Sequence, residues 1–173
     1  MSLITLLNRG GKALFNELLS HIHPIMVHFP IALIIIATCY DLFLMVTKRK
    51  FSPKQGFWLW TVAFLSAWIA IGTGPEHDAR GNTNVFEYHE SLADIATILA
   101  FLVVSFRAYF IFKKKEFHKA SLVIYCLLAL ICSASILSVG YFGGKMVYDQ
   151  GVGVKMNGKY VNPPITDGLH HDD

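Results

Sequence analysis

The sequence predicts an all-α integral membrane protein, a four-helix bundle with both termini on the same, outer side. Three observations carry that prediction. The 173 residues are 54% hydrophobic and only 16% charged, several apolar runs are long enough to cross a bilayer, and lysine and arginine gather in alternate loops. A soluble domain is typically about 25% charged and 45–50% apolar, so the surplus here needs a second apolar environment besides one small core. Lipid supplies it. Fifteen Lys plus Arg against 12 Asp plus Glu leave a net charge of +3, which is too small and too dispersed for a nucleic-acid surface. No nucleic-acid partner is expected.

Residues 1–22 form the first unit. Leu14, Phe15, Leu18, Leu19 and Ile22 recur at helical spacing, which suits a short helix lying on the outer membrane surface or packed on the bundle. The apolar run 3–7 is too short for a signal sequence, and Arg9 and Lys12 follow it rather than precede it. No cleaved leader is expected.

Residues 23–142 form the transmembrane unit, with spans over 24–46, 57–74, 91–112 and 120–142. Crossing the hydrocarbon takes roughly 20 apolar residues, and runs without strand-like alternation satisfy their backbone as helices. Lys48, Arg49, Lys50 and Lys54 fill the first loop, and Lys113, Lys114, Lys115 and Lys119 fill the third. Those loops should be cytoplasmic, which puts both termini outside. Cys39, Cys126 and Cys132 all fall in apolar runs, where thiols act as small hydrophobes and no disulfide is expected.

Residues 143–173 form an outer tail opening on Gly143-Gly144. Asn157-Gly158, between alternating apolar residues, marks a two-residue hairpin and hence a small ordered lid. The terminal HHDD is too short and too frayed to build a metal site.

Histidine placement is the informative feature. Six of the eight histidines lie on the outer side or at its boundary, and His118 is cytoplasmic. The remaining one, His28, lies inside a span, where an imidazole is costly unless hydrogen-bonded or ligated. Counting from Lys48 and Lys113, His23 is 25 residues up the first span and His89 is 24 up the third, which puts them at one level. His28 and Asp94 share a second level about 7–8 Å deeper. His77, 23 residues after Lys54, reaches the outer level from the second span. Pro24 suits a first helical turn, whereas Pro30 falls within the span and predicts a kink beside His28.

Two of these imidazoles facing each other from different helices are what b-type haem ligation requires, with small side chains leaving room for the porphyrin. Ala93, Ala96 and Ala100 follow His89 along one helix face, and Ala63, Ala67, Ala70 and Gly74 line a matching face of the second span. Such stripes also serve close helix packing, the more usual role of small residues in membranes. A Zn or Cu site would need three or four ligands, which His23, His28, His77 and His89 with Glu76, Asp78 or Glu90 could supply. Asp94 and Glu90 are candidate hydrogen-bond partners for ligating histidines. Asp41 and Arg107 lie seven and six residues from the cytoplasmic ends of parallel spans, and are expected to form a buried structural ion pair. No Gly-rich phosphate loop, HExxH, CxxC or CxxCH is present. Nothing marks Ser91 or Ser138 as an activated nucleophile, and no pair of broken helices suggests a transporter.

The run HPIMVHFP at residues 23–30, followed by Ala32, Leu33 and Asp41, resembles a bacterial membrane family classed as domain of unknown function 2231. Thr73-Gly74, His89-Glu90 and GGKMVYDQGVGV at 143–154 extend the resemblance over nearly the whole chain after residue 22. In many relatives the tail motif carries a histidine where this chain has Gln150, so no ligand role is carried over there. The resemblance implies a four-helix protein of the bacterial inner membrane, often found with respiratory or cytochrome-like domains, and no established enzymatic activity.

The sequence thus leads to a haem b electron-transfer protein or respiratory-complex subunit rather than a stand-alone enzyme. Its ligands are two of His23, His28 and His89, with His77 in reserve. Its expected partners are the lipid bilayer, quinol or a periplasmic c-type cytochrome, and a larger complex or homo-oligomer. The opposing reading is a non-catalytic scaffold subunit whose outer histidines hold Zn or Cu or are only hydrogen-bonded.

Overall fold

The computed structural model describes residues 22–47, 51–74 and 83–162. Among these residues four helices follow one another: α1 (Ile22–Thr47), α2 (Phe57–Gly72), α3 (Thr83–Phe112) and α4 (Lys119–Tyr148). Each packs on its neighbour in sequence, and α4 closes the ring against α1.

Each helix buries a single stripe of mostly small or medium side chains. On α1 the stripe is Ile34, Ala37, Thr38, Asp41 and Leu44; on α2 it is Leu59, Trp60, Ala63, Ala67 and Ala70. The outward faces are just as apolar. Phe43, Trp58, Trp68, Ile98, Phe112 and Leu137 are all more than half exposed. A helix apolar all round has no side suited to water, so these faces belong against lipid. α1, α3 and α4 are long and apolar enough to cross a membrane. α2 is equally apolar but has 16 residues, about 24 Å at helical rise. It is two residues shorter than the run read from the sequence, because Thr73 caps it, the Thr73 N–H meeting the Ala70 carbonyl at 3.2 Å and the Gly74 N–H the Ile71 carbonyl at 3.1 Å.

Other boundaries also differ from expectation. α3 begins at Thr83 rather than 91, and α4 continues through Gly143-Gly144 to Tyr148. The limit expected at residue 143 therefore falls inside a helix. α1 passes through Pro30 as one helical element. The hairpin forms as β1 (Lys155–Met156) and β2 (Lys159–Tyr160), antiparallel, with Asn157 and Gly158 both at positive φ as a tight primed turn requires. Its strand residues are all exposed. The expected surface helix of residues 1–21, His77, Glu76 and Asp78, and the HHDD terminus lie outside the described residues.

At the lysine-rich end all four helices meet in one buried polar cluster. Arg107 Nη1 lies 2.7 Å from Asp41 Oδ2, and both side chains are essentially inaccessible. Trp60 Nε1 donates to the same oxygen at 2.7 Å, and Tyr125 OH donates to it while accepting from Arg107. Arg107 Nε donates to the Pro53 carbonyl at 3.0 Å, and Nη2 donates to the Gln55 carbonyl. The guanidinium thus donates from all three nitrogens and pulls the α1–α2 connection beneath the bundle. Phe51 and Tyr125 cover its faces, with ring centroids 5.4 and 5.2 Å away. Gly56, at φ +71°, begins α2 where an added Cβ would sit 3.1 Å from Asp41 Oδ1. That position needs glycine for both reasons.

A buried charge stripped of its partner costs far more than the pair contributes. Arg107→Leu should therefore lower stability by about 3–5 kcal/mol, read as a fall in melting midpoint in detergent. The double variant Asp41→Leu, Arg107→Leu should fall by less than that single variant. Equal losses would mean that the lost packing, and not the orphaned carboxylate, sets the cost.

Candidate functional site

Among the described residues, the opposite end of the ring carries two half-buried histidines on different helices. His23 stands in the first turn of α1 and directs Nδ1 across to α2, where it meets the Ala70 carbonyl at 3.1 Å and Thr73 Oγ1 at 3.3 Å. Thr73 Oγ1 gives its own proton to the Ala70 carbonyl at 2.8 Å, so towards His23 it can only accept. His89, two turns into α3, directs Nδ1 across to α4 and meets the Val139 carbonyl at 3.0 Å.

A carbonyl cannot donate, so each Nδ1 must carry the proton. That fixes the tautomer: in both neutral rings the lone pair lies on Nε2. Neither Nε2 has a hydrogen-bond partner among the described residues. The arrangement is two imidazoles on helices placed across the ring from each other, each with its Nδ1 backed by a main-chain acceptor of an adjacent helix.

Helical arithmetic explains why these two face the interior. His23 precedes Asp41 by 18 residues, and His89 precedes Arg107 by 18. Eighteen residues make about five turns. Each histidine therefore shares a helix face with its own half of the buried ion pair, at the other end of the same stripe. Depth alone had admitted His28 with Asp94, but each lies five residues beyond its counterpart, a rotation of about 140° at 3.6 residues per turn. Both are exposed, and His28 Nδ1 turns back to the Pro24 carbonyl of its own helix. The structure does not bring His28 and Asp94 together. Glu90 is exposed too, and the acceptor behind His89 is a carbonyl of α4 rather than a carboxylate.

Below the histidines the alanines separate. Ala93 is half-buried, whereas Ala96 and Ala100 are fully buried in the core with Ala37, Ala63 and Ala129. Cys132 Sγ lies 3.5 Å from the Ala96 carbonyl. The lower part of the stripe is helix packing. Among the described residues no group of three His, Cys, Asp or Glu side chains comes together as a metal site.

Gly143 is the neighbour of His89 that sequence reasoning missed. An added Cβ there would lie 3.1 Å from His89 Cε1 and 3.4 Å from its Nδ1. It had been read as the end of the helix. Its place is inside α4, one turn after Val139, where the missing side chain leaves room for the ring. The available signal was its position one helical turn beyond the carbonyl that His89 uses.

A family model described as "Predicted membrane protein (DUF2231)" matches residues 20–156. The chain belongs to this family. No curated protein and no solved structure matches it. Both histidines, the ion pair and Gly143 fall within the matched segment.

The glycines of α4 give a direct check. At Gly140 an added Cβ would meet only Ile31 Cδ1 at 3.6 Å, so Gly140→Ala should hold or raise the melting midpoint through helix propensity. Gly143→Ala should instead lower it and shift the His89 ring resonances. If both substitutions raise stability alike, His89 does not occupy the space beside Gly143.

Proposed function

We propose that this chain is a membrane-embedded b-type haem electron-transfer protein, or a subunit of a respiratory complex, with His23 and His89 as the axial ligands. The observation that carries the reading is the pair of imidazoles with Nδ1 tied to carbonyls and Nε2 without a hydrogen-bond partner among the described residues. Second-site hydrogen bonds of this kind set the tautomer and raise the basicity of a ligating histidine. Among the described residues the site offers two imidazoles, the number that haem needs from the protein, where a structural metal needs three or four ligands.

In this reading the chain binds the cofactor as a four-span bundle in the bacterial inner membrane, with both termini and the histidine layer periplasmic. The lysine-rich loops support that orientation. α2, about 24 Å long, would be accommodated by local thinning of a bilayer whose core is about 30 Å. The Ala70 and Val139 carbonyls hold the rings, Gly143 gives His89 its room, and Ala93 leaves space beneath it. Bound haem supplies one-electron exchange. One site at one end cannot carry an electron across the hydrocarbon, so exchange would be with quinol, a periplasmic c-type cytochrome, or a neighbour within a larger complex.

A difference spectrum tests this on protein purified from haem-sufficient cells: dithionite-reduced minus air-oxidised, with iron and zinc quantified. The reading expects sharp low-spin b-type bands at about one iron per chain, abolished by His23→Ala and by His89→Ala and retained by His28→Ala. A featureless spectrum without iron would overturn it. The two imidazoles would then be hydrogen-bonded staples between helices in a scaffold subunit.

A further inference from the structure

The lysine-rich end holds a feature independent of the histidines. Between the α1–α2 connection and the end of α3 lies a cavity of about 230 Å³, lined by Pro53, Lys54, Phe110, Lys114, Lys115 and Glu116 among others. Its floor is apolar, with Pro53 and Phe110 buried, and its rim is charged, with the lysines and Glu116 exposed. Three lysines against one glutamate give the lining a net charge of +2. No lysine of this cavity is ion-paired among the described residues, where Arg107–Asp41 is the one salt bridge. Typical sites for drug-sized molecules run to roughly 300–1,000 Å³, so this one suits a small anionic group.

The backbone gives a second observation. α3 ends with Lys115 N–H on the Phe110 carbonyl at 3.0 Å and Lys114 N–H on the Ile111 carbonyl at 3.1 Å. This is a helix-ending motif whose left-handed position is usually glycine. Here Lys114 holds it, at φ +51°. A side chain kept in a conformation that disfavours side chains points to a use for that side chain.

A third observation concerns the surroundings. Val46, Trp58 and Phe112, at the same end of α1, α2 and α3, are 87%, 68% and 84% exposed. These side chains put this end of the bundle at the lipid boundary, where an anionic headgroup can enter the cavity while its acyl chains stay in the bilayer beside them. We propose that this cavity binds the phosphate headgroup of an anionic phospholipid in the leaflet on the lysine-rich side. Basic pockets between helices at the membrane boundary recognise lipid phosphates in this way.

The test uses the full chain in neutral detergent, titrated with phosphatidylglycerol, phosphatidylcholine or inorganic phosphate. Retained lipid is counted by native mass spectrometry, and the melting midpoint is followed. Phosphatidylglycerol alone should be retained and should raise the midpoint. The double variant Lys54→Gln, Lys115→Gln should weaken retention by about fivefold per lysine. Lys114→Gly should weaken it to a similar degree while holding or raising the lipid-free midpoint, because it relieves the left-handed residue. That variant keeps the test sharp if the double variant folds poorly. Lys113→Gln, in the same basic run but outside the cavity lining, should retain the lipid. Equal retention of phosphatidylcholine, or an equal loss on Lys113→Gln, would overturn the proposal. Binding of inorganic phosphate as tight as that of phosphatidylglycerol would assign the cavity to a soluble anion and overturn it as well.

Discussion

A guanidinium and a carboxylate buried among apolar helices have to be enclosed on every side, and the architecture follows from that requirement. Asp41 comes from α1, Trp60 from α2, Arg107 from α3 and Tyr125 from α4, and two carbonyls of the α1–α2 connection complete the guanidinium's partners, while Asp41 Oδ1 is buried without a hydrogen-bond partner among the described residues. No sliding or rotation of one helix leaves these contacts intact. In a bilayer, apolar contact between helices has little preference over contact with lipid. A polar cluster therefore supplies the register that hydrophobic burial cannot.

The consequence appears at the other end. With α1 and α3 locked at Asp41 and Arg107, the residues 18 positions earlier on each helix are fixed in height and in rotation. Those residues are His23 and His89. Each then hands its Nδ1–H to a helix it does not belong to, so the histidine end is cross-linked by polar contacts as the lysine end is. Between the two ends, Ala37, Ala63, Ala96, Ala100 and Ala129 bring the backbones together, and Thr38 bonds Ser133 at 2.8 Å across α1 and α4. The molecule has polar clusters at its ends and small-residue packing between them.

Much of this was legible in the sequence, for identifiable reasons. Long apolar runs and basic loops give the helices, because the cost of an unpaired amide in lipid leaves few alternatives. The Asp41–Arg107 pairing was legible from depth, because parallel spans of similar length align by counting. Depth left rotation open, and that is why His28 stood beside His23 and His89 as a candidate ligand, with Asp94 as its hydrogen-bond partner. The identical 18-residue spacings to the ion pair would have separated them. Gly143-Gly144 was misread because glycine usually ends a helix in water. In a tight helix pair it can instead make room for a neighbour's ring. The carbonyls of Pro53 and Gln55 were not legible at all, since main-chain groups in a short connection leave no mark on side-chain patterns.

The claim on which the functional account rests is the state of the two rings, and it can be measured directly. Nitrogen-15 magnetic resonance of histidine-labelled protein in bilayers at neutral pH, assigned with single-histidine variants, reports which nitrogen carries the proton. The account predicts that His23 and His89 are both neutral and protonated on Nδ1, with Nε2 bearing the lone pair or bound to a metal. Rings protonated on Nε2, or doubly protonated, would contradict it, because neither could offer Nε2 as a ligand.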